Sequence, residues 1–236
     1  MFPVLEGTVS NTLIGTVGSL LIPGVSVLPS PPYLIVPRPE SAEHAERDLD
    51  VSQNTGEIRT KRTLDREVVS EYRFSAIPLN GEESIEVVVT VGDINDNTPE
   101  FGEEEVTLDI PENTPIGSKR KLSPAVDADQ GTFGTQSYHI ESGNEDGSFV
   151  LSVNKDQEGQ FKLELIVNGD LDRERTDSYE LHLVAVDGGN PPKTGTMTIN
   201  VKIQDLNDNP PTFSKQRYFT AVSDDLQPGD SVFKVR

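Results

Sequence analysis

The stretch DINDNTPEF, from Asp93 to Phe101, decides how the chain is organised. It returns with small changes as DLNDNPPTF, from Asp205 to Phe213. A phrase that recurs at a long period indicates structural units repeated along the chain. We therefore expect repeats whose boundaries fall directly after each NDN, at 1–97 and 98–209. Residues 210–236 then hold only the opening strand and turn of a further repeat.

Other phrases recur in the same order and at nearly the same spacing. LDRE occurs at Leu64–Glu67 and again at Leu171–Glu174. IPENTPIG, at Ile110–Gly117, has a looser copy in VSDDLQPG, at Val222–Gly229. A weaker copy, VLEGTVSNTLIG, places Glu6 before a turn and an apolar strand. Three phrases with a shared order indicate true repetition rather than chance.

Between these phrases, apolar and polar residues alternate with a period of two. Met197, Ile199, Val201 and Ile203 would share one face of a strand. Turn-forming stretches such as NGE, EDG and DGGNPP separate several such strands. This pattern predicts an all-β fold in which each repeat is a β-sandwich. The stretch Ser41 to Leu49 is the one helix-like segment, and we expect a solvated loop with a single helical turn there.

Charge and composition exclude several classes of function. Lys and Arg number 20 against 40 Asp and Glu, which gives a net charge of −20. Such an acidic chain is unsuited to binding nucleic acid or an anionic membrane surface. The chain has no cysteine, which excludes disulfides, Cys-ligated zinc and a thiol nucleophile.

No apolar run is long enough to span a membrane. The opening residues also lack a basic stretch before their apolar part, as a signal peptide would have. We expect the chain to be a segment of a longer protein.

The acidic phrases offer oxygen ligands without nearby His or Cys, the donor set that suits a hard cation such as Ca²⁺. DxNDN resembles the start of an EF-hand loop, but Thr98 and Pro210 stand where that loop requires glycine. An EF-hand is therefore not expected. The alternative is that the acidic phrases meet where two sandwiches join end to end.

Five motifs resemble those of extracellular cadherin repeats, and the resemblance covers essentially the whole chain. They are DxNDNxPxF, LDRE, PENTP, DAD followed by a glycine-rich turn at Asp127–Gly134, and AVDGG at Ala185–Gly189. The resemblance implies tandem Greek-key, immunoglobulin-like sandwiches joined by calcium-binding linkers. It also implies a cell-surface ectodomain of a single-pass membrane protein whose membrane segment lies outside this chain.

The resemblance also implies which residues hold calcium. For the first linker they are Glu6, Asp65, Glu67, Asp93, Asn95, Asp96, Asn97, Asp127, Asp129, Phe133 and Asp187. Phe133 stands where the family often has Asn, and this change is tolerable if the ligand at that position is a backbone carbonyl. For the second, partial linker they are Glu112, Asp172, Glu174, Asp205, Asn207, Asp208 and Asn209. Asp224 takes the Glu position for a third linker.

The absence of tryptophan bears on how such a chain would recognise a partner. Cadherins that exchange N-terminal strands insert a Trp, so that mode is excluded if Met1 to Pro3 lie near the true N-terminus. The chain instead resembles long, non-swapping cadherins of the Dachsous type, through TLIGTV, TGEIRT and DADQGTFGTQ. That resemblance implies a Fat-type cadherin on the neighbouring cell, in planar polarity and growth signalling. Homophilic binding of the protocadherin kind is the near alternative.

Two other classes of function fit the sequence less well. A calcium-stiffened carbohydrate-binding module would need an aromatic platform, and 5 Tyr, 9 Phe and no Trp at mostly strand-like positions supply none. The pairs Asp65/Glu67 and Asp172/Glu174 could serve glycoside hydrolysis. They recur identically, however, as structural sites do and active sites rarely do. We therefore predict a protein that is not an enzyme.

Overall fold

The computed structural model describes residues 1–18, 32–81, 83–210 and 212–234. The first β-sandwich pairs a four-stranded sheet of order β1-β7-β6-β3 with a three-stranded sheet of order β2-β5-β4. Its elements are β1 (Phe2–Leu5), β2 (Leu13–Thr16), β3 (Tyr33–Pro37), α1 (Ala42–Asp48), β4 (Leu49–Val51), β5 (Glu57–Thr60), β6 (Glu71–Pro78) and β7 (Ile85–Gly92).

The second sandwich repeats this plan with a sheet of order β10-β13-β14-β8 and a sheet of order β11-β12-β9. Its strands are β8 (Glu105–Pro111), β9 (Lys119–Leu122), β10 (Thr135–Ser142), β11 (Phe149–Lys155), β12 (Phe161–Val167), β13 (Ser178–Asp187) and β14 (Thr194–Gln204). No strand pairing among the described residues joins the two sandwiches. The only covalent connection between their strands is the segment from Asp93 to Glu104.

Each sandwich has its own hydrophobic core, and the predicted alternation builds it. Met197, Ile199, Val201 and Ile203 of β14 are all buried in the second core. Phe74 of β6 is buried in the first core together with residues of the facing sheet. The period-two pattern therefore identified the inward faces correctly, as the side-chain period of a strand requires.

The first strand of each sandwich pairs with the last in parallel. β1 runs parallel to β7, with Phe2 beside Val89, and β8 runs parallel to β14. The end of the first strand therefore lies beside the end of the last strand. Glu6 directly follows β1 and Glu112 directly follows β8. Both residues therefore lie next to a DxNDN phrase.

The stretch that we expected to be a solvated loop forms the helix α1, so that expectation was wrong. Ala45 and Asp48 of the helix are buried against the first core. The Asp48 carboxylate accepts hydrogen bonds from the Tyr72 hydroxyl at 2.9 Å and from the Arg47 guanidinium at 2.6 and 2.8 Å. The helix is held by the buried hydrogen bond between Asp48 and Tyr72 and by Ala45, which packs in the first core. Arg47 binds Asp48 from the more exposed side.

The opening strand expected after residue 210 is also not formed. The described residues after Gln204 contain turns but no strand, and nearly all of them are exposed. β1 and β8 are each paired with the last strand of their own sandwich. Residues 212–234 have no such strand after them within this chain, so their backbone lacks the partner that this position needs.

We expect Tyr72→Phe to lower the free energy of unfolding of the first sandwich by about 1.5 kcal/mol, because it removes a buried donor from the Asp48 carboxylate. Urea unfolding measures the change. The control is Glu46→Gln, which changes an exposed residue on the same helix. Equal stabilities of the two variants would contradict the role assigned to this network.

Candidate metal centre between the two sandwiches

Glu6 anchors the junction, which we define as Asp93–Asn97. One of its carboxylate oxygens, Oε1, accepts the backbone N–H of Ile94 at 2.8 Å, and the other, Oε2, accepts that of Arg66 at 2.8 Å. Glu6 is only 3% exposed. Gly7, with a φ of +70°, turns the chain directly after it, in a conformation that favours glycine. Glu6 therefore fixes the junction against the LDRE turn of the first sandwich.

Two groups of carboxylates converge here. Oxygens of Glu6, Asp65 and Glu67 lie within 4.8 Å of one another, and so do oxygens of Glu67, Asp93 and Asp129. Glu67 belongs to both groups, and Asp129 comes from the second sandwich. Burial, followed by the neighbouring Glu6, raises the pKa of Glu67 to about 7. Residues from both sandwiches and from the junction thus share one acidic site.

Asn97 links the junction to acidic residues of the second sandwich. Its backbone N–H and side-chain amide both donate to the buried Asp129, the amide at 2.7 Å, and the amide also donates to Asp96 at 2.8 Å. Asp127 accepts the backbone N–H of Asp129 at 3.2 Å. Burial and the charge of Asp129 raise the pKa of Asp127. Burial and the charges of Glu6 and Asp129 raise that of Asp96.

Two buried oxygens have no hydrogen-bond partner among the described residues: Asn95 Oδ1 and Asp187 Oδ2. The other Asp187 oxygen accepts the backbone N–H groups of Gly189 and Lys193 at 3.0 and 2.8 Å. A buried acceptor without a donor is costly, so a cation is a fitting partner for both oxygens. All the converging donors are oxygens, and the residues present therefore fit a hard ion such as Ca²⁺.

Electrostatic repulsion sets the need for such a cation. Two carboxylate charges 4.8 Å apart repel by about 3 kcal/mol at an effective dielectric constant of about 20. Five carboxylates share the two groups, with the Arg66 guanidinium hydrogen-bonded to two of them. Divalent cations would convert this repulsion into attraction.

The second junction, Asp205–Asn209, is anchored by a glutamate like the first, but its own residues are not enclosed by a second sandwich. Glu112 accepts the backbone N–H groups of Leu206 at 2.8 Å and Arg173 at 3.0 Å. Its carboxylate groups with those of Asp172 and Glu174 within 4.8 Å. The junction residues themselves are exposed: Asp205, Asn207, Asp208 and Asn209.

Among the described residues, the carboxylate groups do not include five acidic residues of the sequence-based set: Asp96, Asp127, Asp187, Asp205 and Asp208. Phe133 and Asp224 also lie apart from them. Phe133 is half-buried in the turn after Asp129, where its N–H donates to Gln130. Asp224 is exposed and belongs to none of the acidic groups among the described residues.

Sequence reasoning assigned the carboxylates of LDRE but missed Arg66 between them. This side chain is buried and donates to Asp93, to Glu67 and to the Ala128 carbonyl of the second sandwich. Its position between two acidic residues was the available signal. Its partners on the other sandwich could not be read from the sequence.

Residues 106–204 match the Cadherin domain family. Protein dachsous of Drosophila melanogaster is 47% identical over 190 residues, which cover 80% of this chain and 5% of that protein. Protocadherin-16 of Homo sapiens is 40% identical over 188 residues, which cover 80% of this chain and 6% of that protein. The chain thus spans only a small part of the length of the curated relatives it matches. These relatives are cadherins and not enzymes.

Solved structures of protocadherin ectodomains share this fold. The crystal structure of Protocadherin Gamma C5 EC1-3 matches with a TM-score of 0.79 at 26% identity, covering 100% of this chain and 75% of that one. Protocadherin Gamma B2 extracellular cadherin domains 1-5 match with a TM-score of 0.78 at 32% identity, covering 100% and 44%. In the described part of the chain, no helix has the length and apolar character needed to cross a membrane.

We expect calcium binding at the first junction to weaken as the pH falls from 8 to 6, on the order of tenfold at most. Glu67, with its pKa near 7, must lose its proton to bind a cation. Without calcium, a lower pH has the opposite effect, because it stabilises the fold. The raised pKa stabilises the fold below the ordinary value of 4.5, and that stability is lost as the pH rises through about 7.

Calorimetric calcium titrations at the two pH values measure this effect. Glu67→Gln should flatten the pH dependence, whereas Glu174→Gln, at the second junction, should preserve it. The same relative loss of affinity in the wild type and in Glu67→Gln would contradict the assignment.

We expect Gly189→Ala to reduce the calcium-induced rise in melting temperature. A Cβ at Gly189 would lie 1.7 Å from Nδ2 of Asn95 and would force that side chain out of place. Gly102→Ala is the matched control, because a Cβ there meets nothing within 4 Å. If both variants kept the wild-type response to calcium, Asn95 would have no part in the site.

Proposed function

Because the chain belongs to the cadherin superfamily, we propose that it is a calcium-stiffened part of a cell–cell recognition ectodomain. The observation that carries the proposal is the convergence of carboxylates from both sandwiches on one junction. Calcium bound there would hold the sandwiches in a fixed line. We place the repeat boundaries after Asn97 and Asn209, so that each junction lies between two repeats.

The proposed calcium ligands fall into three sets. The first sandwich supplies Glu6, Asp65 and Glu67. The junction supplies Asp93, Asn95, Asp96 and Asn97, and the second sandwich supplies Asp127, Asp129, Asp187 and the Phe133 carbonyl. With six to eight oxygens per ion and shared carboxylates, this set accommodates about two or three ions. The residues of the second junction would form an equivalent, partial site. Sites of this kind suit the millimolar calcium found outside cells.

The proposed partner is a Fat-type cadherin on a neighbouring cell, in planar polarity and growth signalling. The similarity to Protein dachsous supports this choice. The net charge of −20 also favours a partner of complementary charge over a second copy of the chain. β1 pairs with β7 of its own sandwich and buries Phe2 in its own core, which favours recognition without exchange of this strand.

Homophilic adhesion is the second candidate, and one observation favours it. Both solved structures named above are protocadherin ectodomains, and they cover the whole chain with TM-scores of 0.78 and 0.79. The two candidates share the calcium site and differ only in the partner. A single assay can therefore separate them.

Bead aggregation tests the proposed function. Beads coated with this chain should form mixed aggregates with beads that carry a Fat-type ectodomain in millimolar calcium, and should disperse in chelator. Aggregation of beads coated with this chain alone would support the homophilic candidate. No aggregation in either arm would contradict an adhesive role for these repeats.

Asp96→Ala should greatly reduce the mixed aggregation, because it removes a proposed calcium ligand from the junction. Weaker calcium binding would leave the remaining carboxylates to repel one another. Glu180→Ala, at an exposed position on β13, is the control and should behave as the wild type. Equal aggregation by the two variants would count against a calcium site at the junction.

A further inference from the structure

Arg66 lies between two proposed ligands, and its guanidinium is the buried cation of the junction. Its side chain is only 7% exposed. Nε donates to Oδ1 of Asp93 at 2.6 Å, and the terminal nitrogen Nη2 donates to Glu67 and, at 2.7 Å, to the carbonyl of Ala128. Ala128 belongs to the second sandwich, so this one side chain connects the LDRE turn, the junction and the second sandwich.

Asp93 completes the connection from its other oxygen. Oδ2 of Asp93 accepts the backbone N–H of Gln130 at 2.6 Å. Gln130 lies in the glycine-rich turn of the second sandwich, beside Asp129. Asp93 therefore takes one hydrogen bond from each sandwich. Hydrogen bonds between charged groups are among the stronger ones in proteins, and both partners here are largely withdrawn from solvent.

The second junction supplies an internal comparison. Arg173 occupies the position of Arg66 but its side chain is 36% exposed. It contacts Glu174 at 2.7 Å and Asp205 at 3.2 Å, and its Nε has no hydrogen-bond partner among the described residues. The arginine of LDRE thus bonds across its junction only where a folded sandwich follows that junction.

We propose that Arg66 and Asp93 form a strap, made of protein groups alone, that holds the first sandwich to the second across the junction. We define the strap as the bonds from Arg66 to Asp93 and to the Ala128 carbonyl, together with the bond from the Gln130 N–H to Asp93. Arg66 is a positioning residue. It sets where the Asp93 and Glu67 carboxylates lie, and it restrains the two sandwiches whether or not a cation is bound.

The strap acts without calcium, which a site made only of carboxylates could not do. Removal of calcium would leave the junction loosened but still restrained, because the guanidinium remains among the carboxylates. Burial alone would lower the pKa of Arg66, but the hydrogen bond to Asp93 and the charges of Asp93, Glu67 and Glu6 raise it. The proposal concerns the protein groups alone and does not rest on the adhesive role.

Distance measurements between spin labels test the strap. The chain has no cysteine, so Ser70→Cys and Ser137→Cys, two exposed serines on different sandwiches, give one defined label pair. The distance distribution is measured in chelator for the wild type, Arg66→Lys and Arg173→Lys. Lysine keeps the charge but cannot donate to several acceptors with the planar fork of arginine.

We expect the wild type in chelator to retain a narrow component in the distribution and Arg66→Lys to lose it. Arg173→Lys should retain it, because Arg173 contacts only its own sandwich and the second junction. An unchanged distribution in Arg66→Lys would overturn the proposal. Equal broadening in Arg173→Lys would overturn it as well.

Asp93→Asn provides a second, independent variant. Arg66 and Gln130 donate to different oxygens of Asp93, and in asparagine one of these oxygens becomes an NH2 group that cannot accept. It should lose the narrow component in chelator, and Asp205→Asn at the second junction should keep it. Far-ultraviolet circular dichroism of each variant verifies that the sandwiches are folded. A folded Asp93→Asn with the wild-type distribution would overturn the strap.

Discussion

Repulsion among carboxylates at one short junction is the constraint on which the rest of the arrangement depends. Oxygens of Glu6, Asp65 and Glu67, and of Glu67, Asp93 and Asp129, approach within 4.8 Å. The two sandwiches have separate cores and no strand pairing between them. Their relative position therefore depends on the balance of charge at the junction rather than on burial of apolar surface.

The fold places this charge through the pairing of its outer strands. Because β1 runs parallel to β7, the ends of both strands reach the junction together. Glu6 can then accept N–H groups of Ile94 and Arg66 at the same time. The same construction recurs at Glu112, with Leu206 and Arg173. The repeated phrases of the sequence thus build the same anchor at both junctions.

Much of the fold could be predicted from the sequence, because the period-two alternation and the repeated phrases are local signals. The inward residues of β14 followed from the alternation. The resemblance to cadherin repeats implied the grouping of Glu112 with Asp172 and Glu174, and their carboxylates do lie together. The helix α1 did not follow from local signals, since its buried face consists of Ala45 and a charged Asp48 whose partner Tyr72 is 24 residues away. Pairing at such a distance leaves no local pattern.

The same reason explains what was missed at the site. For the first copy of LDRE, the family resemblance implied two carboxylate ligands, which stay predictions. The guanidinium between them reaches Asp93 and the Ala128 carbonyl only through the tertiary structure. The strand expected after residue 210 was wrong for a related reason. An opening strand needs the last strand of its own sandwich as a partner, and no strand follows it among the described residues.

Small-angle X-ray scattering of the chain, in millimolar calcium and again after chelation, tests the central claim most directly. If cations neutralise the junction, the calcium form will give the profile of two sandwiches in a fixed line. Chelation will then shorten the mean extension and broaden the distribution of interatomic distances. Identical profiles in the two conditions would contradict the account, because they would mean that the junction holds its shape without a metal ion.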